Sequence, residues 1–346
     1  MNSTSATPHP ESCWFAGGWG ADMEGSSAGI SLLRSRSDGS LERVGLAAAV
    51  PSASFLVADG EQVYATLEGS DGVVAFDRVG ETLTNRRTAS SGGEYPCHLT
   101  VHGSVVVAAN YRTGSIGIIE RSEGSGASAV LQHRGSVQTT GGGPRPEQEG
   151  PHAHSSLFVD DHTLVTLDLG ADRIRIFDYR NFALTPVDEV VLPAGFGPRD
   201  IVARPNNVFF VLGELGLGVI VYEWRDREFH QLCAVSLPEA RDGDHASAIA
   251  ISPDSRHAYV GVRGSNLIAV LTIAEDGCSV APLTAVSCEG DWPRHIVQHE
   301  NVLHVSNQFS NTVASFRLDG TGIPRLIAAP VHVLSPTYLV RIPDGF

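Results

Sequence analysis

A short apolar strand that ends in a polar or charged residue recurs along this chain at intervals of 42 to 58 residues. The first copy is WFAGGW, from Trp14 to Trp19. The later copies end at Glu68, Asn110, Asp168, Glu214, Arg263 and Asn307, which gives seven copies in all. This repeat constrains the fold more than any other feature, because each repeat is a supersecondary unit that buries its apolar face only against its neighbours.

Most copies are followed by a turn rich in Gly, Ser or Asn and then by a second strand, as in GSDGVVAF, RTGSIGII and GADRIRIF. Apolar alternation with β-branched residues, interrupted by turn residues, is typical of β-hairpins. A period of this length holds about four strands, which is one blade of a β-propeller. We therefore predict an all-β fold, a seven-bladed β-propeller with four antiparallel strands per blade.

The two ends of the chain complete this prediction. We expect the C-terminal segment RLIAAPVHVLSPTYLVRI to close the ring against the N-terminal segment, which leaves no free sheet edge. One domain is expected over residues 1–346, with 1–12 flexible and 135–150, rich in Gly, Pro and Gln, forming an inserted loop. The alternative, a stack of β-sandwiches, fits so even a period less well.

Charge and residue usage exclude several classes of function. The formal net charge is -15, whereas a nucleic-acid-binding domain normally carries a basic face. All 24 basic residues are Arg, which excludes Schiff-base catalysis, pyridoxal phosphate attachment and a P-loop lysine. We expect no cofactor and no nucleic-acid partner.

The sequence also predicts where the protein works. No apolar run approaches the roughly 18 residues of a membrane span, and MNSTSATPHPESCW lacks the basic and apolar parts of a secretory signal. The five cysteines have no C-x-x-C spacing, which suits a reducing compartment. We expect a cytoplasmic protein with no membrane partner, and the sequence leaves the oligomeric state open.

Reactive side chains recur where the repeats open and close, and in a propeller these strand ends meet around one central channel. The opening positions are His98, His152, His154, Arg199, Arg294 and His295, and the closing positions include Asn110, Asp168, Glu214, Arg263 and Asn307. Each has an ordinary structural explanation, since strands often end in Asn or Asp for turn reasons. The pair in PHAH also fits a metal-ligand pattern, but no third ligand has suitable spacing. The concentration of Arg in an acidic protein favours an anionic ligand.

These motifs resemble those of a known family. PHAHSSLFVDDHTLVTLDLGADRI, GPRDIVARPNNVFFVLGELGLGVIVY, AIAISPDSRHAYVGVRGSNLIAV and WPRHIVQHENVLHVSNQFSNTVASFRLDG look like successive blades of the lactonase family of seven-bladed propellers. That family includes 6-phosphogluconolactonases and muconate lactonizing enzymes. The resemblance implies a catalytic cleft formed by His154, Arg199, Glu214 and Arg263, all of which lie at the repeat ends described above.

The expected function is hydrolysis of a sugar lactone, 6-phosphogluconolactone in the first instance. His154 or Glu214 would act as general base on water, with a pKa near neutrality favouring the His, and Arg199 and Arg263 would bind anionic oxygens. Substrate contacts are expected from the remaining repeat-end residues: His98, Asn110, His152, Asp168, Arg294 and Asn307. Two alternatives stay open, a muconate-type cycloisomerase and a propeller scaffold without catalysis.

Overall fold

The computed structural model describes residues 12–122, 126 and 129–343. We expected residues 1–12 to be flexible. Residues 1–11 of this segment lie outside the described residues, and only Ser12 is described. Within the described ranges the secondary structure consists of strands and four single-turn 3-10 helices, Ala21–Met23, Glu68–Ser70, Pro146–Gln148 and Pro205–Asn207. None of these helical turns could span a membrane.

The strands, in chain order, have the following bounds. The first eleven are β1 Cys13–Gly18, β2 Gly29–Ser35, β3 Leu41–Ala49, β4 Leu56–Asp59, β5 Gln62–Leu67, β6 Gly72–Val79, β7 Thr82–Ser90, β8 Pro96–His102, β9 Val105–Asn110, β10 Ser115–Arg121 and β11 Leu131–Gln138. The next eight are β12 Ala153–Asp160, β13 Thr163–Asp168, β14 Arg173–Arg180, β15 Ala183–Val191, β16 Pro198–Arg204, β17 Val208–Gly213, β18 Gly218–Arg225 and β19 Glu228–Ser236. The last ten are β20 His245–Ile251, β21 His257–Arg263, β22 Leu267–Ile273, β23 Val280–Ser287, β24 Pro293–His299, β25 Val302–Asn307, β26 Thr312–Leu318, β27 Pro324–Leu326, β28 Val331–His332 and β29 Pro336–Arg341.

The described strands form seven antiparallel sheets, which confirms the seven-bladed propeller. Blades 2 to 6 are the successive groups β4–β7, β8–β11, β12–β15, β16–β19 and β20–β23, each a meander that starts at the innermost strand. Blade 7 contains β24–β28, and its outer position is divided between β27 and β28, which both pair with β26. Blade 1 has the order β29-β1-β2-β3, so the C-terminal strand is innermost and closes the ring.

The apolar runs that mark the repeat are the second strands of the blades. The run VVVAAN forms β9, and all six of its residues are buried. A strand covered on both faces reads as a continuous apolar run, whereas the outer β7 alternates between exposed and half-buried residues. Neighbouring blades pack face to face, as Phe210 of blade 5 and Val260 of blade 6 do in one core cluster.

The innermost strand of six blades carries one extra residue near its start. The pairing registers skip at Cys97, His154, Arg199, Arg294 and Thr337, and within Ser247–Ala248 of β20. A β-bulge of this kind bends the strand and re-aims a side chain, and bulges are common beside active sites. The repeat thus places one irregular residue near the start of the innermost strand in six of the seven blades.

The connection between blades 3 and 4 starts later than the expected loop at 135–150. Strand β11 continues to Gln138, so the first four of those residues belong to the outer strand of blade 3. The rest packs against blade 4, where the buried Gln148 donates from Nε2 to the Leu169 carbonyl and to Asp172 Oδ1. This connection is therefore held by hydrogen bonds to the neighbouring blade.

Candidate active site

A cavity of about 240 Å³ lies where the blades converge, and we call it the channel cavity. Six blades contribute to its wall through their innermost strands. Blade 2 contributes residues just before β4 and just after β5. The bulge residues line it, namely Cys97, His154, Arg199, Ser247, Arg294 and Thr337. Its volume is below the roughly 300–1,000 Å³ typical of sites for drug-sized ligands, which suits a ligand the size of one sugar.

Arg199 lines the cavity and forms an ion pair with Glu214, which does not line it. Its Nη1 donates to Glu214 Oε2 at 2.5 Å, and its Nε donates to the Ser247 carbonyl at 2.5 Å. The other Glu214 oxygen, Oε1, lies 2.9 Å from Arg263 Nη2 and 3.1 Å from His245 Nδ1. Glu214 and Arg263 do not line the channel cavity themselves, so they act on it through Arg199.

The charges in this group keep Glu214 ionised. Burial alone raises the pKa of its carboxyl, but the charges of Arg263 and Arg199 and the hydrogen bond from His245 outweigh burial and hold the pKa well below its usual value. Burial lowers the pKa of Arg263 to about 9, which still leaves it charged at neutral pH. Both Glu214 oxygens are occupied, so this carboxylate is poorly suited to take a proton from water.

Blades 1, 2 and 7 contribute a second charged group. The Arg294 guanidinium lies 4.1 Å from the centroid of the Trp19 ring, and its Nη1 donates to Gln308 Oε1 at 3.1 Å. Trp19 Nε1 donates to Glu68 Oε2 at 2.7 Å. Glu68 Oε1 lies 3.8 Å from Arg294 Nη2, which is an ion pair without a hydrogen bond. Glu68 and Arg294 both line the cavity.

His154 lies at the bulge of β12 on the cavity wall. Its buried Nδ1 has no hydrogen-bond partner among the described residues. Burial, followed by the charge of Arg199, holds its pKa well below the usual 6.5, so the ring is neutral at neutral pH. The expectation of a pKa near neutrality was therefore wrong, because it did not account for a closed channel with arginines beside the ring.

His98 lies one residue farther along its strand than the bulge and forms part of an aromatic cluster. Its ring centroid is 4.3 Å from that of Phe55, which in turn lies 4.1 Å from Tyr338, and Tyr338 stacks on His295 at 3.8 Å. Burial lowers the pKa values of His98 and His295 to about 3. These neutral rings form an aromatic part of the cavity wall. Asp200 also lines the cavity, and its two oxygens accept hydrogen bonds from the backbone N–H groups of Ile201 and Ile249.

Four residues that the sequence suggested as substrate contacts lie outside the cavity wall. Asn110 Nδ2 donates to the Ser91 carbonyl, and Asn307 Nδ2 donates to the Cys288 carbonyl. Asp168 accepts the N–H of His152 and hydrogen bonds from Thr139 and Arg175. His152 stacks on Tyr111 at 4.5 Å, with its Nδ1 2.8 Å from the Tyr111 carbonyl oxygen. Their contacts hold neighbouring blades together, which explains why polar residues recur at these buried positions.

The sequence analysis did not select Glu68, Trp19, His245 or Trp292 as site residues. Glu68 and Trp19 end copies of the same repeat as Glu214, so aligning all seven copies would have found them. The guanidinium carbon of Arg263 lies 5.3 Å from the centroid of the Trp292 ring. Among the described residues, no group of three His, Cys, Asp or Glu side chains is arranged to hold a metal ion.

Comparison with known proteins agrees with the seven-bladed fold. Residues 17–341 match the family model described as "Lactonase, 7-bladed beta-propeller". The chain is 32% identical over 283 residues to the 6-phosphogluconolactonase of Bacillus subtilis strain 168, covering 78% of this chain and 80% of that protein.

Solved structures give the same picture at the level of the fold. A protein from Lactobacillus plantarum superposes with a TM-score of 0.88 at 26% identity, over 96% of this chain and 100% of that one. The periplasmic gluconolactonase of Pseudomonas aeruginosa superposes with a TM-score of 0.84 at 21% identity, over 97% and 100% of the two chains. At that identity, the second similarity concerns the fold alone.

Proposed function

This chain belongs to the lactonase family of seven-bladed β-propellers, and from that premise we propose that it hydrolyses 6-phosphogluconolactone to 6-phosphogluconate. The name of the Bacillus subtilis relative supports this choice of substrate. One observation carries the proposal on the structural side. Arg199 and Arg294 both line a sugar-sized cavity, and Nη2 of each has no hydrogen-bond acceptor among the described residues. Open guanidinium N–H groups are strong donors to the oxygens of a sugar lactone, both the oxyanion that forms in the reaction and neutral hydroxyl groups.

Hydrolysis needs a base for water and a donor for the oxyanion that forms on the lactone carbonyl. The neutral ring of His154 accepts a proton from the attacking water, and Arg199 donates to the oxyanion from Nη2. When the tetrahedral intermediate collapses, the bond from the carbonyl carbon to the ring oxygen breaks. That oxygen takes the proton from His154 and becomes a hydroxyl group, so the ring of the His returns to its neutral state.

The anionic substrate itself strengthens this base. The positive charge of Arg199 contributes to the low pKa of His154, and Arg294 acts in the same direction. A phosphate that binds near Arg199 offsets the charge of that guanidinium, so the pKa of His154 rises in the complex. Glu214 and Arg263 are positioning residues in this proposal, because they hold Arg199 rather than line the cavity.

The proposal includes a cytoplasmic location. Its support is the proposed sugar-phosphate substrate together with five cysteines that are all free in the structure.

The test is hydrolysis of freshly generated 6-phosphogluconolactone, followed as acid release at neutral pH with and without a chelator. We expect turnover well above the spontaneous rate. Glucono-δ-lactone and a muconate are run beside it to separate a phosphate-dependent lactonase from a cycloisomerase. Spontaneous rates with every lactone, and no consumption of the muconate, would overturn the proposal and favour a scaffold.

A further inference from the structure

Glu214 and Glu68 form ion pairs with the channel arginines, and of these two only Glu68 has an oxygen that receives no hydrogen bond from the described residues. Both oxygens of Glu214 have nitrogen partners, on Arg199, Arg263 or His245, at 3.1 Å or less. Glu68 uses Oε2 for the indole N–H of Trp19, while its Oε1 makes no hydrogen bond to the described residues. Glu68 lines the cavity with its side chain only 6% exposed. Because Glu68 Oε1 is not closed off from the cavity and the protein supplies no donor to it, a ligand or water can donate to it there.

The partner of this open oxygen is an equally open donor. Arg294 Nη2 lies 3.8 Å from Glu68 Oε1, too far for a hydrogen bond, and has no acceptor among the described residues. Trp19 and Gln308 hold the rest of the guanidinium in place. A hydroxyl group can donate to the carboxylate and accept from the guanidinium at the same time. A carboxylate or phosphate oxygen cannot donate, and Glu68 would repel it.

We propose that Glu68 and Arg294 form a hydroxyl-recognition pair, in which a ligand hydroxyl donates to Glu68 Oε1 and accepts from Arg294 Nη2. This rests on the proposed function and deepens it, because it assigns this side of the cavity to the polyhydroxylated part of a sugar lactone. The Arg199 and His154 side then receives the reacting carbonyl. Glu68 is a specificity-determining residue here and takes no part in proton transfer to water.

Trp19 makes the pair testable by a polarity reversal. In Glu68→Gln the amide oxygen must face the indole N–H of Trp19, since two N–H groups cannot face each other. The amide NH₂ then faces the cavity and Arg294, and the acceptor for the hydroxyl is lost. In the double variant Trp19→Phe, Glu68→Gln, the amide is free to turn its oxygen towards the cavity, while Phe keeps an aromatic face under Arg294.

The experiment compares kcat and KM for 6-phosphogluconolactone, for glucono-δ-lactone, which keeps the hydroxyl groups without the phosphate, and for δ-valerolactone, which has the same ring with neither. We expect Glu68→Gln to lower kcat/KM for both sugar lactones by roughly 10- to 100-fold, mainly through KM, because a hydrogen bond to a charged group is lost. We expect no change with δ-valerolactone and partial recovery for the sugar lactones in the double variant. Glu94→Gln, at a carboxylate that is about half exposed, is the matched control.

Failure of this inference is distinguishable from failure of the proposed function. Equal losses with all three lactones, or a double variant no better than Glu68→Gln, would show a purely structural Glu68 and overturn the inference while leaving the lactonase activity intact. If the wild-type protein hydrolyses none of the three lactones, the proposed function fails, and calorimetric binding of 6-phosphogluconate to the same variants decides. Weaker binding in Glu68→Gln that recovers in the double variant would support the pair, and absence of binding by the wild type would overturn it.

Discussion

At the scale of single residues, the channel cavity changes the chemistry of side chains that look ordinary in the sequence. His154 is the clearest case, because burial and the neighbouring arginines keep its ring neutral. A neutral ring accepts a proton, whereas an exposed His would be partly charged at the same pH. Glu214 shows the opposite effect, since its cationic neighbours keep it ionised in spite of burial. The environment therefore favours His154 over Glu214 as the base in the proposed mechanism, and Glu214 forms an ion pair with Arg199.

This assignment predicts the pH dependence of kcat/KM. A base works when deprotonated, so the rate is full above its pKa in the free enzyme and falls as the pH drops through that pKa. Because the pKa of His154 is lowered, we expect a flat profile from pH 8 to 6.5 and an acid limb well below 6.5. His154→Gln should lower kcat by roughly 10²- to 10⁴-fold. The variant His162→Gln, in an exposed turn, is the control. An acid limb at or above pH 6.5, or full activity of His154→Gln, would contradict the assignment.

At the scale of secondary-structure elements, the start of the innermost strand and the end of the second strand have different roles. The start of each innermost strand, where six blades have a bulge, faces the cavity. The end of the second strand serves two purposes: Glu68 lines the cavity, while Asn110 and Asn307 bind a carbonyl just after the outer strand of the preceding blade. Both kinds of position are polar in the sequence, but the strand starts line the cavity in six blades, whereas of these three second-strand ends Glu68 lines it and Asn110 and Asn307 do not.

The inter-blade role of the two asparagines predicts an effect on stability alone. Asn110→Ala and Asn307→Ala each remove a buried side-chain hydrogen bond to a backbone carbonyl. We expect each to lower the free energy of unfolding by about 1–2 kcal/mol and to leave kcat and KM unchanged. Denaturant unfolding measures the first and the lactone assay the second, with Asn301→Ala in an exposed turn as control. A rise in KM without loss of stability would mean that these residues contact substrate after all.

At the scale of the whole molecule, closing the ring is what brings the seven blades around one channel cavity. Strand β29 pairs with β1, so residues more than 300 positions apart in the chain form one blade. The same closure buries His98 and His295 near the middle of the channel, where burial lowers their pKa values to about 3. Both are neutral in the folded protein and titrate near 6.5 in the unfolded chain.

Ring closure therefore predicts acid sensitivity. Between pH 6.5 and about 3 the unfolded chain binds more protons than the folded protein, so the free energy of unfolding falls as the pH falls. Each such His contributes about 1.4 kcal/mol per pH unit to this slope. His98→Phe keeps a ring against Phe55 and should make the slope between pH 4 and 6 shallower by that amount. Urea titrations at several pH values measure it, with His162→Gln as control, and an unchanged slope would contradict the burial of a neutral His98.

The sequence alone determined the architecture of this protein. The spacing of VYATLE, VVVAAN and TLVTLD defines one supersecondary unit repeated seven times, and a strand buried on both faces must be apolar throughout. His154, Arg199 and Arg294 were found for the same reason, since the repeat places them at equivalent strand starts. The role of ring closure for the C-terminal segment was also evident, because an open ring would leave a free strand edge.

Only the tertiary structure decided which of the repeat-end residues face the cavity. Glu68, Glu214 and Asn110 occupy equivalent positions in the sequence, yet the first lines the cavity, the second supports Arg199 and the third joins two blades. The difference depends on which side chains neighbouring blades bring within 3–4 Å, and no local pattern encodes those distances. Burial and the summed charges of different blades set the protonation of His154 in the same way, because electrostatic interactions act through space rather than along the chain.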